Sequence, residues 1–299
     1  GALAGLPATK LGSIAIKGAL TRANIKPELV EEVYFGQVLQ ASAGQAPARQ
    51  AALGAGLSQS VICTTVNKVC ASGMKSIMLG AQSIRCGDNH VVMAGGMESM
   101  SLVPWHLARN HRGYGKVELL DGIEYDGLTD AYDRIHMGVC AENTCRQYGI
   151  TRKDQDDYAI SSYKRSIAAH ESGLLSREIV PVELVVKKST KLVTEDEEFK
   201  NVDFARIPNL KPAFDQQNGT ITAANASTLN DGSAATLLMS PKAVSQHKVE
   251  PIAEIVSYAD AECAPIDFPL APALGIPKVS VSIQKSNTLF DPRLLSMSC

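Results

Sequence analysis

Long apolar runs are missing from this chain: no stretch approaches the roughly 18–20 residues that a membrane-crossing helix needs. An excess of one charge is missing too. Twenty-nine Lys and Arg stand against 31 Asp and Glu, for a formal net charge of -2. No basic surplus recruits nucleic acid or an anionic lipid surface. Aromatics are only 5% of residues, and no basic run interleaves with them, which argues against a base-stacking surface. The N-terminal GALAGLPATKLG shows neither a signal-peptide pattern nor an Arg/Ser-rich leader, so no transit peptide is visible. Paired cysteine spacing is also lacking. The seven cysteines, at 63, 70, 86, 140, 145, 263 and 299, form no C-x-x-C and no Cys/His cluster. Neither a disulfide framework nor a zinc site is indicated, and free thiols in a reducing compartment are the simplest reading.

What is present is a core-forming composition: 45% hydrophobic and 20% charged residues over 299 positions. Residues 10–23 have helical spacing, with Leu11, Ile14, Ala15 and Gly18 on one face. Residues 33–38 read as a strand, 46–56 as an Ala-rich helix, and 63–66 as a β-branched strand. Residues 70–85 read as a helix with Met74, Ile77, Met78, Ala81 and Ile84 recurring every three or four residues, closed by Gly87-Asp88. Residues 91–94 form a short apolar strand that Gly95-Gly96 is expected to stop. This alternation predicts an α/β fold with a mixed or parallel sheet. Residues 98–150 show little periodicity, as a long functional loop does. A helix resumes at 151–171 with a capping-box-like start, and Thr236–Met239 reads as an apolar strand. Asn218-Gly-Thr220 and Asn225-Ala-Ser227 match the glycosylation sequon, by chance if the compartment is reducing.

Cys70, in Asn67-Lys-Val-Cys-Ala-Ser-Gly73, sits at a strand-to-helix junction. The first N–H groups of a helix lack internal partners, and the helix dipole favours negative charge there. Such a place stabilises a thiolate, the nucleophilic form, and suits the oxyanion of an attacked carbonyl. Position alone is weak support, because a structural cysteine at a helix start is commoner.

The wider string is more specific. Cys63-Thr-Thr-Val-Asn-Lys-Val-Cys70-Ala-Ser-Gly-Met-Lys-Ser and Ala94-Gly-Gly-Met-Glu-Ser-Met100 resemble the thiolase family. So do Asp126–Asp130, His136-Met-Gly138, Ala141-Glu-Asn143, Glu195–Glu198 and Gly219–Gly232, in family order from about Leu6 to about Pro272. The resemblance implies a layered α/β/α/β/α fold of two similar halves, the second of them truncated here. Residues 1–240 would be the N-terminal half with an inserted loop domain at about 98–220. Residues 241–272 would start the C-terminal half, and 273–299 would be a tail unlike the family.

The resemblance implies acyl transfer between CoA thioesters, two acetyl-CoA to or from acetoacetyl-CoA and CoA, through an acetyl-cysteine at Cys70. It places CoA against Tyr163, Asn201, Val202, Asp203, Arg206 and Ser227. It places a potassium ion against Tyr163 and the backbone oxygens of Ala223, Ala224 and Ala226, a hard-oxygen set. His136, Met137 and Phe214 resemble residues lining the pantetheine channel. Without the family, Tyr163 is an amphipathic-helix tyrosine, 195–206 a solvated charged stretch, and the alanines an ordinary turn. The resemblance further implies a homotetramer of the mitochondrial matrix, serving ketone-body, fatty-acid and isoleucine metabolism, with neither nucleic acid nor membrane as partner. Three family strings, Asn-Glu-Ala-Phe, Gly-His-Pro and Cys-x-Gly, do not occur in residues 1–299. They supply the histidine that activates the nucleophile and the cysteine that moves the α-proton. Residues 1–299 are therefore expected to be a weak or inactive catalyst, and Cys299 is given no acid–base role. The alternative is a non-catalytic isoform of the same fold that binds CoA or a partner subunit.

Overall fold

The computed structural model describes residues 1–109, 114–186 and 189–285. The elements in chain order are α1 (Ala8–Ala23), β1 (Glu32–Gly36), α2 (Pro47–Gly54), β2 (Ile62–Val66), α3 (Ser72–Cys86) and β3 (Val91–Ser99). Then follow β4 (Trp105–His106), β5 (Leu120–Asp121), α4 (Met137–Tyr148), α5 (Arg152–Glu171), β6 (Val182–Val186) and β7 (Ser189–Val193). The last are β8 (Asp231–Met239), α6 (Pro241–His247) and α7 (Ala271–Lys285).

One sheet organises the core, in the order β2-β1-β3-β8. β1 runs parallel to both β2 and β3, and β8 closes the sheet antiparallel to β3. The predicted α/β class with a mixed sheet is what forms. Period-2 alternation sorts the side chains between two faces. Val33, Phe35 and Met93 share a buried cluster with Ile16 and Leu20 of α1 and Ala51 of α2. Val92, Ala94 and Leu238 face the other way, against Ile77 and Ile84 of α3. Helices thus cover both faces, as parallel pairing through crossovers requires.

Two details differ from the sequence reading. In α1 the buried positions are Ala8, Leu11, Gly12, Ser13, Ile16 and Leu20, while Ile14 and Ala15 are only partly covered. Small residues at 12 and 13 allow close approach to the sheet: a Cβ on Gly12 would meet Met97 Sδ at 2.6 Å. The second concerns β3, which continues through Gly95-Gly96 to Ser99 instead of stopping there. Gly95 is required by contact, since a Cβ there would lie 2.1 Å from the Ala234 carbonyl oxygen on β8. Glycine here marks close backbone approach within a strand, not its end.

Helix α3 bears on function because its first turn lies on the sheet. A Cβ on Gly36, at the end of β1, would fall 2.7 Å from the Ser72 backbone carbon. Only glycine at 36 lets the N-terminus of α3 sit this close to β1. At the other end Gly87 takes a left-handed φ of 83° and terminates α3, as the sequence predicts. α5 opens with a full capping box between Thr151 and Asp154. The aperiodic stretch 98–150 hides a regular element, α4, which a polar composition conceals. The tail from 273 begins in α7 with Pro277 inside it; residues 286–299, Cys299 included, lie outside the described residues.

Candidate active site

Five residues, 67–71, connect β2 to α3 and carry Cys70. Asn67 Oδ1 accepts a hydrogen bond from the Val69 N–H at 3.0 Å. Val69 itself has a left-handed φ of 48°, a strained conformation for a β-branched residue. The Lys68 N–H donates to Ser72 Oγ at 2.8 Å, and that hydroxyl donates on to the Val69 carbonyl. The Ala71 and Ser72 N–H groups donate to the Lys68 and Val69 carbonyls at 3.1 and 3.0 Å. The turn is thereby closed, and Cys70 is presented exposed beside the N-terminus of α3. These hydrogen bonds leave the N–H groups of Gly73 and Met74 outside them. They are the orphan first-turn donors that an anion or oxyanion uses.

The other thiols differ. Burial pushes the thiols of Cys63, Cys140 and Cys145 above the ordinary cysteine range, which keeps them protonated and inert. Cys86 and Cys263 are exposed, Cys86 at the negative, C-terminal end of α3. Among the described residues, Cys70 alone combines exposure with the N-terminus of an α-helix; Cys263 precedes only a 3-10 helix at Pro265–Leu270, and its thiol donates to the Asp267 carbonyl at 3.1 Å. The lysines on either side of Cys70 in sequence, Lys68 and Lys75, are both ion-paired. Lys68 Nζ meets Glu262 at 2.6 Å and Asp260 at 3.4 Å, and Lys75 Nζ meets Asp260 at 2.5 Å. Hydrogen bonding to Glu262 holds Lys68 above the usual lysine range, and bonding to Lys75 holds the Asp260 carboxyl below its own.

A second feature is an open cleft of about 720 Å³ between α5 and the 219–228 loop. Tyr163, Glu198, Ala224, Ala226 and Ser227 line it. Tyr163 Oη donates to Glu198 Oε1 at 3.2 Å, and burial together with that carboxylate raises the phenol. The structure therefore brings four of the sequence-predicted residues, Tyr163, Ala224, Ala226 and Ser227, to one cleft. Cys70 and Ala223 lie outside its lining, as do Asn201, Val202, Asp203 and Arg206. Asn201, Asp203, Arg206 and Ala223 are exposed. Asp203 Oδ1 accepts from the Ala205 N–H at 3.1 Å, so that carboxylate caps its own turn. His136 stacks on Phe214 with ring centroids 4.8 Å apart, and its Nδ1 accepts from the Gly138 N–H at 3.0 Å to cap α4.

The family model for the thiolase N-terminal domain matches residues 1–242. The chain belongs to the thiolase family. Acetyl-CoA acetyltransferase A, mitochondrial, of Xenopus laevis is 58% identical over 280 residues, covering 93% of this chain and 67% of the relative. Its human counterpart, acetyl-CoA acetyltransferase, mitochondrial, is 53% identical over 300 residues, covering 97% of this chain and 70% of the relative. A solved thiolase, Acat5 from Ascaris suum in complex with coenzyme A, superposes with a TM-score of 0.89 at 42% identity over 95% of this chain and 72% of that one. The chain spans about two thirds of the length of the curated relatives it matches.

This thiolase fold holds its cleft together with residues the sequence reading passed over. Glu142, 2% exposed on α4, accepts from the Thr220 N–H at 2.8 Å, the Ile221 N–H at 2.9 Å and Thr220 Oγ1 at 2.9 Å. Asn225 accepts from the Thr222 N–H at 2.7 Å and donates to Asp156 at 2.9 Å. Asp156 is in turn bridged by Arg152 at 2.7 Å. Glu142 is acidic yet falls on the buried face of α4, a helix that the sequence pattern does not reveal. Asn225 is committed to this network, which fits its sequon being a chance match.

Glu98 is a half-buried acid in this thiolase. Its Oε2 accepts from the Val38 N–H at 2.9 Å, while Oε1 is buried without a partner among the described residues. Burial pushes its carboxyl up. A carboxyl raised in the folded state favours folding below its unfolded value and loses that contribution as pH rises through the folded value. Wild type should therefore lose stability relative to Glu98→Gln as pH climbs from the acid range toward neutrality, measured by denaturant unfolding at each pH. A stability of wild type relative to the variant that stays flat or rises with pH contradicts this.

Proposed function

We propose that Cys70 is the acyl acceptor of a thiolase reaction that moves acetyl groups between CoA thioesters. The supporting observation is the strained Val69 turn that presents an exposed thiol at a helix start whose Gly73 and Met74 amides have no partner among the described residues. The Cys70 thiolate attacks the carbonyl carbon of acetyl-CoA, and the carbonyl π electrons move onto oxygen. Collapse of that tetrahedral adduct breaks the bond to CoA sulfur, which leaves as a thiolate and takes up a proton. An acetyl-cysteine remains. In the second half-reaction the α-carbon of another acetyl-CoA loses a proton, attacks the acetyl-cysteine carbonyl and expels Cys70, giving acetoacetyl-CoA. The reverse sequence cleaves acetoacetyl-CoA with CoA.

The cleft is the proposed CoA site, with Tyr163 and Ser227 in its wall and Asn201, Val202, Asp203 and Arg206 in the neighbouring segment. The guanidinium of Arg206 suits a nucleotide phosphate. Among the described residues no group of three His, Cys, Asp or Glu could hold a metal, so the donor set that fits is oxygen from Tyr163 and the 223–226 backbone. Those carbonyls accept none of the described hydrogen bonds, and hard monovalent cations take such ligands. A bound potassium ion would add positive charge near the CoA. Potassium chloride should raise the melting temperature above sodium chloride at equal ionic strength; equal melting points contradict the ion site. We extend to this chain the relatives' mitochondrial location, a tetrameric assembly and the division at residues 240 and 272, on likeness alone.

Acetyl acceptance separates from turnover in residues 1–299, which contain none of the strings Asn-Glu-Ala-Phe, Gly-His-Pro or Cys-x-Gly. General acid–base groups contribute about 10²–10⁴-fold each. Incubation with acetyl-CoA should therefore place one acetyl group on the Cys70 peptide, seen by mass spectrometry, while acetoacetyl-CoA forms at least about 10²-fold slower than with a thiolase carrying those strings. Binding of CoA with no acetylated peptide would instead favour a non-catalytic binding role.

A further inference from the structure

The turn that carries Cys70 is braced from a distance. β1 and β3 are in parallel register with Gly36 opposite Gly96, so the residues just past the two glycines lie level. Glu98 uses that level: its Oε2 accepts from the Val38 N–H at 2.9 Å and the Leu39 N–H at 3.4 Å. The Gln37 N–H donates to the Val66 carbonyl at 3.0 Å, which keeps the ends of β1 and β2 together. Asn67 then joins the two turns. Its Nδ2 donates to the Val38 carbonyl at 3.3 Å, and its Oδ1 accepts from the Val69 N–H at 3.0 Å. A continuous path of hydrogen bonds runs from a carboxylate on β3, through residues 37–39 and one asparagine, to the N–H of Val69, the residue before the nucleophile.

Two features mark this path as more than scaffolding. Val69 holds a left-handed φ of 48° that a β-branched residue adopts only when its surroundings impose it. Behind it, Glu98 Oε1 and Gln37 Oε1 are both buried with no partner among the described residues. Unsatisfied buried acceptors are uncommon and are found where function tolerates their cost. Asn67 itself is exposed and packs into no core cluster, so its two bonds serve the turn and little else.

Resting on the reading of Cys70 as the acyl acceptor, we propose that Asn67 and Glu98 are positioning residues that act in series to fix the Cys70 turn. Asn67 sets the Val69 peptide directly. Glu98 acts through Val38, by giving Asn67 a fixed carbonyl to bond.

The test is the rate of iodoacetamide alkylation at Cys70 in the 299-residue chain, divided by the rate at exposed Cys86 in the same sample. Asn67→Ala and Glu98→Ala should each lower this ratio about tenfold, and the double variant should also lose about tenfold, because residues in one network are not additive. Glu98→Gln should restore the ratio, since an amide oxygen still accepts from Val38. A hundredfold loss in the double variant, an unchanged ratio in Asn67→Ala, or a Glu98→Gln ratio as low as that of Glu98→Ala overturns the proposal. If Glu98→Ala does not melt cooperatively, Asn67→Ala and Glu98→Gln decide by the same criteria: the first must be slow and the second normal. Replacing iodoacetamide by acetyl-CoA separates the two readings. A wild-type Cys70 that alkylates but never acetylates refutes the acyl-acceptor function, while the alkylation ratios still judge the positioning role.

Discussion

Cys70→Ser is expected to abolish acetyl uptake from acetyl-CoA while leaving the fold untouched. The sulfur is exposed and belongs to no buried cluster, so exchanging it for oxygen is a surface change, worth within about 0.5 kcal/mol of stability. The chemistry has no such tolerance. A hydroxyl is not ionised near neutral pH and needs an adjacent base to attack a thioester. No His, Asp or Glu hydrogen-bonds the Cys70 sulfur among the described residues, and the acids that reach the turn, Asp260 and Glu262, are held by Lys68 Nζ. What the turn offers is a helix N-terminus, which stabilises an anion already formed by about 0.3–1 kcal/mol at an exposed site. That suits a thiolate and is far too little to ionise an alcohol. The two predicted effects are therefore uncoupled: acetylation falls below detection by intact mass while the melting curve superimposes on wild type. Acetylation of Cys70→Ser, or of another cysteine at the wild-type rate, would remove Cys70 from its role. A large drop in melting temperature would show instead that the sulfur packs where the structure leaves it open.

The legible parts of this molecule are those where local chemistry repeats. The period-2 and helical patterns place β1, α2, β2, α3 and α5 within a few residues, and Gly87 and the Thr151–Asp154 box fix two helix ends from sequence alone. Cys70 at the start of α3 follows from the same reasoning. The misses share a cause: the sequence displays residue types, whereas contacts decide their meaning. Gly95 looks like a strand end until the Ala234 carbonyl is seen against it. Met74 has helical spacing with the apolar residues of α3 yet is 67% exposed. Tyr163, Ala224, Ala226 and Ser227 are reached from sequence only through family likeness; spacing does not join α5 to a loop some sixty residues on. Glu142, Asp156 and Asn225 are harder still. Their importance lies wholly in the partners they hold, which are distant in sequence.

Glu142→Ala is expected to be the most damaging single change to the cleft. The carboxylate is 2% exposed and collects the Thr220 N–H, the Ile221 N–H and the Thr220 hydroxyl. Removing it strands these donors where water is scarce, at about 1–3 kcal/mol for each group left unsatisfied. A net loss of about 3–5 kcal/mol follows, a large share of the roughly 5–15 kcal/mol that holds a domain together. Glu142→Gln should cost much less. Its amide oxygen can keep the two backbone N–H groups, and its NH₂ can donate to the Thr220 hydroxyl, which has acceptor capacity to spare beside the bond it takes from Gln155 at 2.9 Å. The order wild type, Gln, Ala is thus fixed by donor and acceptor count and not by charge. The damage should also be local first. Thr220 and Ile221 anchor the loop that reaches Ala224, Ala226 and Ser227, so proteases should cut between 219 and 228 in Glu142→Ala well before the sheet unfolds, and any response to potassium should vanish with the loop. Denaturant titration and limited proteolysis read both effects. An alanine variant within about 1 kcal/mol of wild type, with an uncut loop, would mean that water replaces the carboxylate and that Glu142 does not hold the cleft.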